Sequence, residues 1–260
     1  MPLFLIHTYA FIYRNAIFAK RNIFFVAEMI FWPTMGILSI GLMGGFLNLD
    51  HRALAFVLTG AVASGVLQVT QLDVGYSLLY DVWSKSVKHT FLSPASMAAT
   101  LLGSWAVGIF RGLAVFAFLA ALARYSFDFH LPAFLPTAAF LFGIFYVALL
   151  SGMLVWILIL LYGQRAEITV WALSYLLMVL CGIYYPVNLL PEPFLTFAKL
   201  VPLTYFLDDV RTLYGFSPLF EHAVLKGWAL NFIYTIVGYG LLQKALGRAY
   251  ATGQLVRLSE

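Results

Sequence analysis

Long apolar stretches are the feature that most constrains this chain, because ~20 consecutive apolar residues match the thickness of the hydrocarbon core of a bilayer. A chain of 260 residues has room for roughly six such stretches joined by short polar links. A segment inside lipid must satisfy its own backbone hydrogen bonds, which favours helices. The predicted spans cover residues 23–47, 53–79, 97–123, 134–162, 171–185 and 227–246.

The composition agrees with these stretches. Hydrophobic residues make up 63% of the chain and charged residues 10%, whereas a soluble domain carries about 25% charged residues. The sequence therefore predicts one transmembrane domain over residues 1–260, with the lipid bilayer as its surroundings. The predicted fold class is an all-α integral membrane protein with about six transmembrane helices. An N-terminal interfacial helix and an outward re-entrant helical hairpin before the last span complete it.

The N-terminal segment, residues 1–22, carries polar pairs at heptad spacing among apolar residues, beginning with His7 and Thr8. A helix with one polar stripe suits the surface of a membrane. A signal peptide is the alternative, but its positive charges should precede the apolar core, and here Lys20 and Arg21 follow it. We therefore predict an interfacial helix.

The region 187–211 follows the fifth apolar run and is rich in proline. Pro193 and Pro202 bound the apolar segment FLTFAKLV, which is too short to cross a bilayer. Proline blocks helix continuation, so the segment is predicted to enter the membrane and return to the same side. An amphipathic surface loop is the alternative. Re-entrant backbone survives in a membrane where protein or a wet cavity covers it, which points to a translocation path.

The basic residues of the loops predict the orientation, because Lys and Arg are enriched on the cytoplasmic side. With the N-terminus inside, nine basic residues fall on the cytoplasmic side and five on the outer side. Both termini are therefore predicted to be cytoplasmic, and the proline-rich region faces outward. The net charge of +4 follows from this distribution and gives no reason to expect a nucleic-acid partner.

The loop 80–96 is the longest polar interruption and lies on the predicted cytoplasmic side. Its aromatic and basic residues include Trp83, Lys85, Lys88, His89 and Phe91. The stretch DVWSKSVKHTFL is predicted to form a short helix before the turn at Ser93-Pro94. Such a helix suits docking into a groove of a soluble partner. A solvated basic loop that only satisfies the topology is the alternative.

Glu28 and Arg111 are charged residues that lie inside the first and third predicted spans. Charges at that depth are costly and mark either function or a pairing. Glu28 lies near the inner surface, where Lys20, Arg21 or Gln71 can meet it, whereas Arg111 lies nearer the middle. We predict structural anchors between helices, because the spans lack the acids and histidines of a proton relay.

Sequence motifs give no reason to expect catalysis in this chain. The five histidines show no metal-binding spacing, and neither a GxSxG elbow nor a GxxxxGK[ST] loop occurs. The pair Asp208-Asp209 has no second acidic cluster to share a metal. Cys181, the single cysteine, lies in an apolar run and is predicted to be a buried, inert thiol. We predict no catalytic residue, no metal site and no cofactor bound by this chain.

The stretch CGIYYPVNLLPEPFLTFAKLVPLTYFLDDVR resembles the membrane permease subunits of type-2 ABC exporters, the polysaccharide and drug export permeases. In that family a span ends in a similar small-Gly-aromatic-Pro run. A Leu-Pro step, a re-entrant hairpin, a Pro-Leu-Thr-Tyr-like element and an Arg follow. The resemblance extends over the whole chain. It implies that the re-entrant or gate residues are Gly182, Tyr184, Tyr185, Pro186, Pro191, Pro202, Thr204, Tyr205 and Arg211.

The family also places a coupling helix, followed by a Ser-Pro-like turn, where this chain has residues 81–94. This loop is basic, whereas the family often has a more acidic loop that contains glycine. The resemblance implies that contact with an ATPase is made by Asp81, Trp83, Lys85, Lys88, His89 and Phe91.

The resemblance further implies a homodimer that works with two ATP-binding cassette subunits, which bind the ATP and Mg. The pair would move an amphipathic or lipid-linked substrate, such as a glycan on a lipid carrier, out across a bacterial inner membrane by alternating access. The path is expected at the dimer interface, along the first, second and fifth spans. Efflux of small hydrophobic drugs is one alternative. A membrane-embedded transferase and an ion-driven transporter are alternatives from other classes.

Overall fold

A computed structural model of the protein describes residues 3–21 and 23–258. Within these ranges the chain is helical and contains no strand, so the predicted all-α fold is confirmed. The helices are α1 (Leu3–Arg21), α2 (Ile23–Phe46), α3 (His51–Trp83), α4 (Val87–Leu92), α5 (Met97–Phe127), α6 (Phe134–Tyr162), α7 (Thr169–Leu180), α8 (Phe194–Ala198), α9 (Pro202–Thr212), α10 (Ala223–Ala251) and α11 (Gln254–Arg257). Two 3-10 turns, Gly163–Ile168 and Val187–Leu189, join some of them.

Four helical segments of the described chain are long and apolar enough to cross a bilayer: Val26–Phe46, His51–Trp83, Met97–Phe127 and Phe134–Leu180. The last of these contains the fourth and fifth predicted spans, α6 and α7, joined by the 3-10 turn Gly163–Ile168. The sixth predicted span is α10, which is long enough but carries more polar residues. Each predicted span therefore has a helix at its place.

Helix α3 is the centre of the bundle. Of its most apolar stretch, 78% is buried within the chain, against 17% for α2. Small residues let neighbouring helices approach α3 closely, as is common in membrane bundles. A side chain on Gly108 of α5 would lie only 3.0 Å from the carbonyl oxygen of Thr70. Helix α2, by contrast, leaves most of its surface uncovered by its own chain.

The bundle has two distinct ends. The α4 end carries α1, α4, the turn Gly163–Ile168 and α11. There Tyr250 donates a hydrogen bond to the carbonyl of Phe91 at 2.8 Å. The opposite α9 end carries α8, α9 and the loops at residues 48–50 and 128–133, where Arg52 donates to the carbonyls of Tyr214 and Gly215. Helices α1 and α11 thus lie at the same end of the bundle.

Helix α1 confirms the predicted N-terminal helix and packs across the start of α5. Asn15 is buried and donates a hydrogen bond to Ser104 at 2.9 Å. Gly103 provides room for Phe11, because a side chain there would lie 2.6 Å from the Cβ of Phe11. The placement of this helix at a membrane surface stays a prediction. Residues 1, 2 and 22 of the predicted segment lie outside the described residues.

Candidate functional site

The predicted short helix of the 80–96 loop is α4, which is shorter than the sequence indicated. Helix α3 continues to Trp83, so Asp81 and Trp83 belong to its last turn. Lys85 then adopts a left-handed backbone conformation, with φ of 56°, which ends the helical path. Helix α4 begins only after Ser86. This break turns α4 away from α3 across the end of the bundle.

An ion pair between α1 and α3 holds this turn in place. Arg14 donates to both carboxylate oxygens of Asp81, at 2.9 and 3.1 Å. Ser86 donates to the same carboxylate at 3.1 Å. The Asp81 side chain is only 8% exposed, so it has no surface to offer a partner protein. Its contact with an ATPase stays a prediction, and within the chain its carboxylate stabilises the turn through Arg14 and Ser86.

The remaining coupling residues divide by exposure. Trp83, Lys85, Lys88 and His89 are exposed, and Phe91 is half-buried against the core at the α4 end. Val87 is fully buried and anchors α4 to that core. The end of α3 and helix α4 together therefore present one aromatic and three basic side chains outward from a buried anchor, as a docking element requires. We call the four exposed residues the coupling surface.

At the α9 end, the proline-rich region forms two short helices. Helix α8 lies between Pro193 and Pro202, as the proline pattern predicted. Pro202 occupies the first turn of α9, a position where the missing N–H is not needed. Thr204 donates a hydrogen bond to the carbonyl of Ala198, and Tyr205 donates to that of Lys199, both at 2.8 Å. These bonds tie the two helices into one hairpin.

Arg211 joins this hairpin to the rest of the bundle. Its guanidinium donates to the carbonyl oxygens of Gly182 and Ile183 at 2.9 and 2.6 Å, where α7 has just ended. It also lies over the ring of Phe56 in α3, 3.5 Å from its centre. Burial lowers the pKa of Arg211 to about 9, which still leaves it charged at neutral pH. We call this group the Arg211 clamp.

Two glycines make the Arg211 clamp possible. Gly182 has a φ of 63°, a conformation that side chains disfavour, and so turns the chain back towards α3. Gly60 of α3 faces the turn, and a side chain there would lie 1.8 Å from the carbonyl oxygen of Ile183. The clamp therefore depends on close backbone contact between α3 and the end of α7.

The other predicted gate residues lie around this clamp. Tyr184 shares a hydrogen bond with Ser64 at 3.2 Å, and Tyr185 donates to the carbonyl of Val179. Pro186 and Pro191 are exposed on the connection to α8. The structure thus gathers all nine predicted gate residues at one end of the bundle. Phe56 and Gly60 belong to the same group, although no local sequence pattern indicates it.

A seam of hydrogen bonds connects α3 and α7 along their length. Gln71 donates to the carbonyl of Val170 at 2.8 Å and accepts from Ser174. Trp171 donates to the hydroxyl of Tyr76 nearer the α4 end. Such polar bonds hold helices together where the hydrophobic effect between them is weak. Helices α3 and α7 therefore behave as one unit.

The membrane-embedded charge Arg111 is paired with Asp73 of α3, and both side chains are buried. Arg111 also donates to the sulfur of Met29 in α2 at 3.0 Å. The predicted role as an anchor between helices fits this geometry, and its partner was not identified from the sequence. Counting from the α4 end places Asp73 about three turns and Arg111 about four turns deep, so depth along the helices alone does not identify the pair.

Glu28 lies on the exposed side of α2 and faces a narrow cavity between α2, α3 and α7. The free volume is about 20 Å³, room for about one water molecule. The Nε2 atom of Gln68 is buried at this cavity without a hydrogen-bond partner in the described chain. The cavity is lined mainly by Glu28, Met29, Gln68, Tyr76, Arg111 and Trp171.

The acidic pair beside the clamp has a structural role. Asp208 is buried and accepts hydrogen bonds from the backbone N–H groups of Leu219 and Phe220, at 3.0 to 3.1 Å. Asp209 is exposed, and partial burial together with the charge of Asp208 raises the pKa of Asp209. Asp208 therefore holds the loop that leads into α10.

Tyr214, just after α9, is also partly buried. Burial raises the pKa of Tyr214 to about 12, and its hydroxyl donates a hydrogen bond to the carbonyl of His130.

Both the coupling surface and the Arg211 clamp lie in the part of the chain that is similar to a known protein family. The sequence profile of the family described as ABC-2 type transporter matches residues 7–214 of this chain. The matched part runs from α1 through the coupling surface to the Arg211 clamp. An uncharacterized protein of Archaeoglobus fulgidus is 45% identical over 47 residues, which are 18% of this chain and 73% of that protein.

Proposed function

This chain belongs to the ABC-2 type transporter family and is the transmembrane permease of an ABC exporter, and from that premise we propose that it moves an amphipathic or lipid-linked substrate out of the cytoplasm by alternating access. A glycan on a lipid carrier is the substrate that we favour. Two copies of the chain would form the path, and two ATP-binding subunits would bind the ATP and Mg and supply the energy.

The coupling surface is the observation that carries this proposal. Trp83, Lys88 and His89 project from a turn that Arg14 and Asp81 hold rigidly to α1 and α3. A force applied to α4 by an ATPase would therefore pass directly into α3, the central helix. A nucleotide on the partner shifts the permease only through its different affinity for the two states. The rigid connection at Asp81 is what would convert that difference into helix motion.

The cavity beside Glu28 supports a path along α2, α3 and α7, the first, second and fifth spans. Its lining combines an acid, an arginine, one amide, aromatic rings and apolar side chains, which suits a substrate with both polar and apolar parts. In this conformation it is too narrow for a substrate. Movement of α2 away from α3 and α7 would widen it, and α2 is the least buried of the four segments that are apolar and long enough to cross a bilayer.

The uncovered face of α2 supports the homodimer. Phe31, Trp32 and Met35 are exposed on α2, and Tyr175 and Leu176 are exposed on the neighbouring α7. Lipid covers apolar side chains as well as protein does, so exposure alone does not define an interface. The position of this face beside the proposed path supports a dimer interface here, because a second copy on this face would close the cavity into a channel.

The experiment that tests this function is co-purification. We would express the chain with the ATP-binding subunit encoded beside it and reconstitute the complex in lipid nanodiscs. A two-plus-two complex that hydrolyses ATP is the expected result. Stimulation of that hydrolysis by a lipid-linked glycan, and not by drug-like hydrophobes, would support the substrate class.

Within that complex, the double variant Trp83→Ala/Lys88→Ala tests the coupling surface. ATP hydrolysis is expected to persist while transport falls at least about tenfold, since part of the docking energy is removed. The matched control is Tyr125→Ala/Lys226→Ala, whose residues are exposed at the α9 end. Wild-type transport by the Trp83/Lys88 variant would contradict the assignment, and an ATPase that never binds the chain would contradict the permease function itself.

A further inference from the structure

A second basic feature lies next to the coupling surface at the α4 end. The last turn of α3, the 3-10 turn after α6 and helix α11 enclose a cleft of about 780 Å³. We call it the basic cleft. Its principal lining residues are Trp83, Lys85, Tyr162, Arg165, Gln254 and Arg257.

The basic cleft carries positive charge that residues 3–21 and 23–258 do not neutralise through ion pairs. Lys85, Arg165 and Arg257 are exposed and take part in none of the ion pairs found among the described residues. Asp81, the nearest acid along the chain to Lys85, is already paired with Arg14. Glu167, close to Arg165 in the chain, lies near Tyr76 of α3. The cleft is therefore complementary to an acidic ligand.

The walls of the basic cleft are packed firmly onto the bundle. Leu255 and Leu258 of the C-terminal segment are buried in the core at the α4 end. Gly163, with a φ of 74°, approaches Gln254 so closely that a side chain would lie 2.6 Å from its Nε2 atom. Tyr250, at the end of α10, is bonded to the carbonyl of Phe91 in α4. The cleft is thus preformed, which lowers the entropic cost of binding.

We infer that the basic cleft binds an acidic segment of the ATP-binding subunit, as a second contact beside the coupling surface. This inference rests on the proposed function. Trp83 and Lys85 belong to both surfaces, so a protein docked on α4 necessarily lies at the mouth of the cleft. Three cations and two amide side chains, those of Gln164 and Gln254, match carboxylate groups.

The second contact gives the ATPase a further route to the helices around α4, in addition to α4 itself. Helix α11 packs on α6. The hydrogen bond from Tyr250 to Phe91 links α10 to α4. A partner held in the basic cleft would therefore move α6 and α10 together with α3. Anionic lipid headgroups have similar chemistry, and the experiments below separate them from an acidic protein segment.

The first experiment compares two double charge reversals in the reconstituted complex. Arg165→Glu/Arg257→Glu removes two cations of the basic cleft and leaves the coupling surface intact. Arg124→Glu/Lys226→Glu makes the same change in net charge at exposed positions of the α9 end. We expect the cleft variant to bind the ATPase roughly fivefold more weakly in lipid-free detergent, with a reduced dependence on salt. The control variant should bind like wild type.

A milder variant, Arg165→Gln/Arg257→Gln, guards against misfolding and should show an intermediate affinity. Equal affinity of all cleft variants and wild type in detergent would overturn the inference. So would an effect that appears only in nanodiscs with anionic lipid, since that result assigns the cleft to headgroups. If even the wild-type chain binds no ATPase, the proposed function fails, which is distinguishable from failure of the cleft alone.

The second experiment places a photo-crosslinking phenylalanine derivative at Tyr162, on the rim of the basic cleft. Adducts with the ATP-binding subunit are expected in the assembled complex. The same derivative at Tyr125, which is 96% exposed at the α9 end, should give none. Adducts at Tyr162 with lipid alone would overturn the inference.

Discussion

The buried pair between Asp73 and Arg111 allows a prediction with a defined magnitude. The substitution Asp73→Asn keeps the shape of the side chain but leaves the Arg111 charge buried without its counterion. Breaking a buried ion pair in this way costs about 3–5 kcal/mol. For a chain of this size, each kcal/mol lowers the melting temperature by ~2–4 °C. We therefore expect the melting temperature to fall by roughly 6–20 °C, measured by thermal unfolding in detergent.

The double variant Asp73→Asn/Arg111→Met removes the charge together with its partner. Replacing a buried ion pair by neutral residues is often close to neutral, so we expect most of the lost stability to return. Asp50→Asn is the matched control, because Asp50 is an exposed helix cap and Asn caps equally well. A single variant as stable as wild type would refute the reasoning. A double variant less stable than the single one would show that Arg111 is held mainly by other contacts.

Three further predictions concern the α9 end. Arg211→Met leaves the carbonyls of Gly182 and Ile183 without their donor and should cost about 2–4 kcal/mol in a thermal unfolding measurement; an unchanged melting temperature would contradict the Arg211 clamp. Gly60→Ala forces backbone apart at Ile183 and should destabilise by ~2–3 kcal/mol, whereas Gly36→Ala, which has open space, should not. Asp209 has a raised pKa, so its ionisation opposes folding at neutral pH and the penalty disappears as the pH falls below its folded pKa. Asp209→Asn should therefore raise the melting temperature at pH 7 and have no effect at pH 3, and a gain independent of pH would exclude this explanation.

Apolar length predicted the helices well, because a segment inside lipid has few alternatives to a helix. The fourth span, residues 134–162, matches α6 at both ends. The second predicted span ends at Leu79, four residues before the end of α3, because residues 80–83 resemble the start of a polar loop. In the structure these residues continue the helix, and Tyr80 stacks on Phe18 of α1 at 3.9 Å. Contact with a distant helix therefore decided that boundary.

The candidate site was predictable only where the pattern is local. Proline spacing located α8 and the start of α9, since proline restricts the backbone of its own neighbours. The pairing of Asp81 with Arg14 joins residues 67 positions apart, and that of Arg211 with Phe56 joins helices α9 and α3. Pairings of this kind depend on how the helices pack, which no local pattern records. The sequence consequently placed Asp81 on a surface that the structure buries.

The ion pair in the bundle also has a consequence for synthesis of the chain. Asp73 leaves the ribosome 38 residues before Arg111, so α3 reaches the membrane with an uncompensated acid. On insertion scales such a residue costs up to ~3 kcal/mol when it enters lipid alone. Only α4 and its flanking turns separate α3 from α5, and the two long helices make extensive contact. We therefore expect the translocon to retain α3 until α5 emerges and to release the two as a hairpin.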